Sequence, residues 1–140
     1  MTGTIQKPTP APSPETRAFW EAANRQRLLF RRCPACGHGQ TADILNCASC
    51  MHSVTDWEES TGNGKVISYV VFRRAYHAAY QDEIPYVVVL VELLEGPRML
   101  GNLSGIDPES VVSGLEVTVR FEERDGFRIP QFVIAGCAAA

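Results

Sequence analysis

Four cysteines stand as two tight pairs, Cys33-Pro-Ala-Cys36 and Cys47-Ala-Ser-Cys50, inside the stretch RRCPACGHGQTADILNCASCMH. Ten residues separate the pairs, enough to fold back as a short ribbon and bring the four sulfurs together. Zinc prefers this set: thiolates hold it tetrahedrally at about 2.3 Å in closed structural sites. A catalytic zinc keeps one position open for water or substrate, and four cysteines fill all of them. The metal is therefore expected to build the protein. An iron centre of rubredoxin type uses the same donors, so the residues alone leave iron open beside zinc. A redox Cys-x-x-Cys would open a helix within a βαβ unit, and the pattern around these pairs gives none.

The two pairs are not equivalent. Gly37 follows the first and can take the positive φ that turns backbone amides towards sulfur. Met51 holds the matching place after the second, so it must manage that turn with a side chain or the turn differs. His38 and His52 flank the pairs and are read as solvated or supporting rather than ligating. Elsewhere, His77 lies beside Asp82 and Glu83 in RRAYHAAYQDE, which reads as polar loop surface rather than acid-base machinery. There is no nucleophile elbow and no Gly-rich phosphate loop. Cys137, in AGCAAA, is expected to be an unpaired thiol without a role.

The 140 residues suit a small module joined to a modest domain, and 45 % apolar content is enough for a core. With 13 Lys plus Arg against 16 Asp plus Glu, a net charge of -3 gives no overall attraction to nucleic acid or anionic lipid. The first residues lack the apolar core of a secretory signal, and YVVVLVELL is too short to cross a bilayer. These readings predict a cytoplasmic protein, where paired cysteines stay reduced and bind metal.

The elements that must position the cysteines follow from composition and period. Residues 1–13 carry Pro8, Pro10 and Pro12 among small polar residues and are expected to be a disordered tail. Ser13-Pro14-Glu15 offers a helix start, predicting a helix from about Pro14 to Gln26 within an N-terminal segment 14–30. Phe19, Trp20 and Ala23 share one stripe of it, for core packing or for docking a partner. The metal ribbon is assigned to 31–57 and a barrel to 58–136. In the barrel, GKVISYVVFRR alternates with period two, with Val66, Ser68, Val70 and Phe72 on one face and Ile67, Tyr69 and Val71 on the other. YVVVLVELL reads as a central strand and RMLGNL as a third, with Gly101 marking a bulge or a close backbone approach. EVTVRFEE and FRIPQFVIA flank Asp125-Gly126, a strong hairpin signal, and Pro130 implies a free edge in the last strand. Five short strands without a long amphipathic helix favour a mainly β chain ending in a five-stranded antiparallel OB-fold barrel.

The segments FWEA, RCPACG, NCASC, PYVVVLVEL, GNLSGIDPE, GLEVTVRFEE and PQF, in this order and spacing, resemble the acyl-CoA-associated proteins with a rubredoxin-like zinc ribbon and an OB-fold. That resemblance implies a non-catalytic subunit of a thiolase, a thiolase-like acyltransferase or a steroid side-chain aldolase, in a two-plus-two complex with a thiolase-fold chain. It further implies help in binding or channelling coenzyme A or acyl-CoA. Arg is a good bidentate partner for the phosphates of such a ligand. The cationic candidates are Arg31, Arg32, Lys65, Arg73 and Arg74, with Arg25 and Arg27 nearby. Phe19 and Trp20 are the candidates for partner docking. One departure stands out: where the family often carries Pro-Pro-Arg between the cysteine pairs, this chain has about Thr41, Ala42 and Asp43, which counts against a ligand contact by that loop. The alternative function is a single-stranded nucleic-acid-binding OB module, disfavoured by the net charge of -3.

Overall fold

The computed structural model describes residues 5–54 and 56–136; Cys137 lies outside the described residues. Two sheets divide the chain. The first joins β1 (Leu28–Arg32), β2 (Gly39–Gln40) and β3 (Trp57–Ser60) in the order β2-β1-β3, with antiparallel pairing throughout. The second is a closed barrel of β4 (Asn63–Phe72), β5 (Tyr86–Leu93), β6 (Arg98–Leu103), β7 (Glu116–Arg124) and β8 (Phe127–Ile134), in the order β4-β5-β6-β8-β7. One seam departs from the all-antiparallel expectation. β6 and β8 meet in parallel, at Leu103 against Phe132. They are held further by the Ser104 amide donating to the Phe132 carbonyl at 3.0 Å.

The helix α1 (Arg17–Ala23) is shorter than the predicted span to Gln26, and β1 occupies part of the segment assigned to it. The reason lies at its end. The amides of Arg25, Gln26 and Arg27 bond back to Ala22 and Ala23, and Gln26 takes a φ of 60°, which reverses the chain. Leu28 and Phe30 are then delivered to the interior as alternate residues of a strand. The start differs too. Thr16 rather than Ser13 precedes the first helical residue, because Ser13 and Thr16 bond each other's amides at 3.0 and 3.3 Å and form a turn of their own.

The barrel interior is filled by Val66, Val87, Val89, Val91, Leu93, Leu103, Val117 and Phe132, with Phe19 of α1 packed against them. The central strand expected at YVVVLVELL is β5, and its burial alternates along the strand. In β4 it does not, because the register slips between Val66 and Ser68. A one-residue bulge exchanges the two faces. Val70, expected on the same face as Val66, is 53 % exposed, while Val71 packs against the core. Gly101 marks a close approach: a Cβ there would lie 2.9 Å from the Phe132 ring. The Asp125-Gly126 turn has φ of 47° and 83°, the left-handed pair that a two-residue hairpin needs. β8 pairs with β6 only at Phe132, which leaves Pro130 beside an unladdered edge.

The loop between β4 and β5 holds a short 3-10 turn, Ala78–Tyr80, capped by His77, whose Nδ1 accepts from the Ala79 amide at 3.1 Å. The tail expected to be disordered makes specific contacts in its described part. Lys7 bonds Glu83, and the Pro8 carbonyl accepts from Arg124 at 3.1 Å.

Candidate metal centre and the surfaces around it

Each cysteine pair sits on a tight turn. The Gly37 amide bonds the Cys33 carbonyl at 2.9 Å and the Met51 amide bonds the Cys47 carbonyl at 2.8 Å, while Cys33 and Cys47 donate to His38 and His52 at 2.8 Å. The two turns are near copies of each other. Gly37 has φ 81° and Met51 has φ 67°, so Met51 adopts the left-handed conformation with its side chain 72 % exposed. The Ser49 amide reaches the Cys47 sulfur at 3.4 Å.

These turns bring the four sulfurs within 4.8 Å of one another, with Cys33 to Cys50 at 3.6 Å and Cys36 to Cys47 at 3.5 Å. Both separations are far beyond the roughly 2.05 Å of a disulfide. A tetrahedron of sulfurs at about 2.3 Å from a zinc ion has edges of about 3.8 Å, so the cluster fits that ion with little adjustment. Burial pushes the Cys47 thiol up, but the Cys50 and Ser49 amides and the neighbouring Cys36 and Cys50 thiols outweigh it and hold it down at about 6. Cys50 responds oppositely: the His52 amide favours its thiolate, yet burial and the sulfurs of Cys33, Cys36 and Cys47 push it up to about 12. Negative charge crowded in this way calls for a cation. Among the described residues the buried apolar cluster of the ribbon consists of Cys33, Cys47 and Val54, too little to hold the turns without the ion.

Two residues outside the cysteine motif complete the ribbon. Gln40 is buried and uses its whole amide: Nε2 donates to the Ile44 and Asn46 carbonyls at 3.0 Å, and Oε1 accepts from Ala48 at 3.1 Å. No local signal in the sequence distinguishes Gln40 from a surface glutamine. Trp57 carried one, as a large aromatic at the end of a module with little core.

Trp57 explains where Arg31 goes. Its ring lies 4.0 Å from the Arg31 guanidinium, which donates to Ala42, Val54 and Glu15 carbonyls at 2.7, 3.1 and 2.6 Å. Burial lowers its pKa, partly offset by the Glu15 carboxylate. Arg31 is 4 % exposed, so the structure corrects the expectation that it meets a phosphate: its donors tie helix, ribbon loop and strand together. Arg32 is also engaged, with Glu58 at 2.7 Å and with the Gly37 and Glu95 carbonyls at 3.0 and 3.1 Å.

The remaining cations lie on the barrel. Arg73 pairs with Glu109 on the surface and Arg74 lies 5.7 Å from the Tyr76 ring. Lys65 faces Glu92 and Glu116 across the sheet. Lys65 and Arg73, just past the end of β4, are eight residue steps apart, about 26 Å at ~3.3 Å per residue, so they cannot hold one phosphate together.

Ribbon and barrel are latched by Glu95, in the turn between β5 and β6. Its carboxylate accepts from the Ser60 hydroxyl at 2.5 Å and from the Thr61 amide and hydroxyl at 3.0 Å. Phe19 and Trp20 are both half-buried, packed edge to face with centroids 4.9 Å apart. Trp20 reaches Phe127 of β8 at 6.4 Å. They form one wall of an apolar groove of about 710 Å³ between α1, the ribbon and the barrel, with Phe30, Met99 and Pro130 opposite. Among the described residues no helix is long and apolar enough to cross a membrane.

The geometry agrees with what the chain resembles. Residues 20–38 match the rubredoxin-like zinc ribbon domain of ChsH2 and residues 57–122 its C-terminal OB-fold domain. A probable enoyl-CoA hydratase alpha subunit of Thermomonospora curvata is 38 % identical over 85 % of this chain, which spans 37 % of that protein's length. A DUF35 domain-containing scaffold protein of Methanocaldococcus jannaschii is 32 % identical, with 75 % of this chain and 74 % of that one covered. Among solved structures, a chain of the Ltp2-ChsH2(DUF35) aldolase superposes with a TM-score of 0.77 at 36 % identity, covering 91 % of this chain and 99 % of that one. Four clustered thiols on paired turns, a closed barrel and these likenesses together show that the chain belongs to the DUF35 family, with the zinc ribbon and OB-fold of ChsH2.

Proposed function

We propose that this chain is a non-catalytic subunit that binds and supports a thiolase-fold acyl-CoA enzyme, such as a thiolase, an acyltransferase or an aldolase. The catalytic residues of that complex lie on the partner. The observation that carries this reading is a cluster of four cysteine sulfurs joined through Glu95 to a closed barrel, in a chain so similar to one component of the Ltp2-ChsH2(DUF35) aldolase. Names of other relatives point the same way: three are scaffold proteins, and two are alpha subunits of hydratases. His77, read from sequence as polar loop surface, spends Nδ1 on capping a turn.

In this reading the zinc is structural, the complex has two copies of each chain, and it works in the cytoplasm. The outer faces of Phe19 and Trp20 contribute to the docking surface. Arg32, Lys65, Arg73 and Arg74 are the candidates for coenzyme A or acyl-CoA contacts, with Arg73 and Arg74 acting as a pair at one end of β4.

Co-expression with a thiolase-fold acyl-CoA enzyme chain tests the proposal. The expected result is co-elution at the mass of a two-plus-two complex, with acyl-CoA turnover by the complex. Elution of this chain alone as a monomer, with the partner fully active by itself, removes the proposal.

A further inference from the structure

A second cavity, of about 390 Å³, opens in the barrel wall between the loop before β5, the end of β6 and the β7–β8 hairpin. None of the residues expected from sequence to bind a ligand lines it. Its floor is set by β7, where Arg120, Glu122 and Arg124 occupy alternate positions and so share one face. Arg124 is held there from two sides. Its Nη1 donates to the Pro8 carbonyl at 3.1 Å, and its Nη2 lies 3.5 Å from the Glu122 carboxylate. Its Nε is buried and has no acceptor among the described residues. A buried guanidinium N–H left unpaired costs more than a hydrogen bond is worth, so such a group calls for an acceptor.

Arg120 lines the same cavity, exposed and without an ion pair among the described residues. Of the two acids in the lining, Glu83 is taken by Lys7 and Glu122 is shared between Lys7 and Arg124. Lys7, from the tail, reaches the two Glu83 oxygens at 2.8 and 2.7 Å and Glu122 at 3.7 Å, while Gln131 donates to Glu122 at 2.9 Å. The Lys7 ammonium also lies 5.1 Å from the Tyr80 ring centre. With Lys7, Arg120 and Arg124 against Glu83 and Glu122, the lining keeps one positive charge in excess. Asn102 and Ser104 add an amide and a hydroxyl on the opposite wall.

We propose that this cavity is a binding site for a small oxyanion, a phosphate or carboxylate group, gripped by Arg120 and Arg124. Two anionic oxygens suit the side-on fork of a guanidinium, which is why arginine recognises both groups. A cavity of about 390 Å³ also has room for a short organic stem behind the anion, at the small end of the range for ligand sites. Lys7, itself part of the lining, sets the charge of the site. By pairing with Glu83 and sharing Glu122 with Arg124, it lowers their competition for the arginines, so the tail strap and the anion bind in support of each other.

The test is a titration of the full-length, zinc-loaded protein with sodium phosphate and, separately, with sodium acetate, each against sodium chloride at matched ionic strength. Melting temperature and calorimetric heat are the readouts. A saturable response to phosphate alone assigns the site to phosphate esters, to acetate alone to carboxylates, and to both to the shared oxyanion. Arg120→Gln and Arg124→Gln are each expected to weaken binding at least tenfold, and Lys7→Ala several-fold. Arg120→Gln keeps the test decisive if loss of Arg124 impairs folding, because its side chain is exposed. A response equal to that of chloride, or one unchanged in Arg120→Gln, overturns the proposal. None of these outcomes depends on the partner enzyme, so failure here leaves the scaffold reading untouched, and the converse holds.

Discussion

Arg31 and Trp57 stand opposite each other on β1 and β3, with the guanidinium 4.0 Å from the centre of the indole ring. One face of the arginine is covered by the ring while its edges bond three carbonyls, from the helix start, the ribbon loop and the end of the second knuckle. A buried charge is tolerated when its donors are satisfied, and here an aromatic face adds to them.

Arg31→Lys keeps the charge and loses the fork. It should lower stability by about 2 kcal/mol, and Arg31→Ala by about 3 kcal/mol, since carbonyls are then left buried and unpaired. Urea denaturation followed by Trp fluorescence measures both. A shift in midpoint as small as that of Arg74→Ala would contradict this role.

Removal of the metal should separate the two sheets in stability. Among the described residues the ribbon has Cys33, Cys47 and Val54 as its buried apolar cluster, whereas the barrel has its own valine-rich core. Structural zinc is typically worth about 10 to 16 kcal/mol to such modules. A strong chelator should therefore erase the amide resonances of residues 33–54 and leave those of β5 and β7 in place. Survival of the ribbon signals without metal would refute the assignment.

Met51→Gly should stabilise the protein or leave it unchanged, against the usual cost of glycine. The residue sits at φ 67° with its side chain exposed, so the change removes a left-handed penalty of about 1 kcal/mol and sacrifices little packing. Thermal melting and competition for zinc with a chromophoric chelator provide the measure. Gly37→Met is the mirror experiment and should cost a similar amount.

The Glu95 latch predicts a pH dependence. Burial raises its pKa, but hydrogen bonds from the Ser60 hydroxyl, the Thr61 amide and the Thr61 hydroxyl outweigh this and hold it below the usual 4.5. A carboxylate whose pKa falls on folding adds stability at pH above its unfolded value, and that contribution is lost as pH drops through the folded value. At neutral pH, Glu95→Gln should cost about 1 kcal/mol, as expected for hydrogen bonds to a part-exposed charge. The difference between the two proteins should shrink once the pH falls below 4.5. Taking it as a difference cancels the loss of metal in acid, which affects both alike.

Much of this architecture was legible because it is local. Cysteine spacing announced the metal cluster, Asp125-Gly126 the hairpin, Gly101 the close approach to Phe132, and the β-branched run from Val87 to Val91 a strand. Each signal acts within a few residues. The misreadings share the opposite property. The bulge at Ile67 that exchanges the faces of β4 arises from pairing with β5, and the early end of α1 reflects burial of Leu28 and Phe30 in a sheet formed with residues 57–60. Gln40, Glu95 and Arg124 carry no local mark, since their partners come from other parts of the chain.

By itself, then, the sequence determined which atoms could hold a metal and which segments would extend, because ligand chemistry and backbone preference depend on near neighbours. Only the tertiary structure decided which charges are free. Arg31, a plausible anion ligand by position, is consumed by three carbonyls and a ring, while among the described residues Arg124 keeps one donor unpaired beside a cavity. The availability of a charge is set by what packs around it, and those neighbours are distant along the chain.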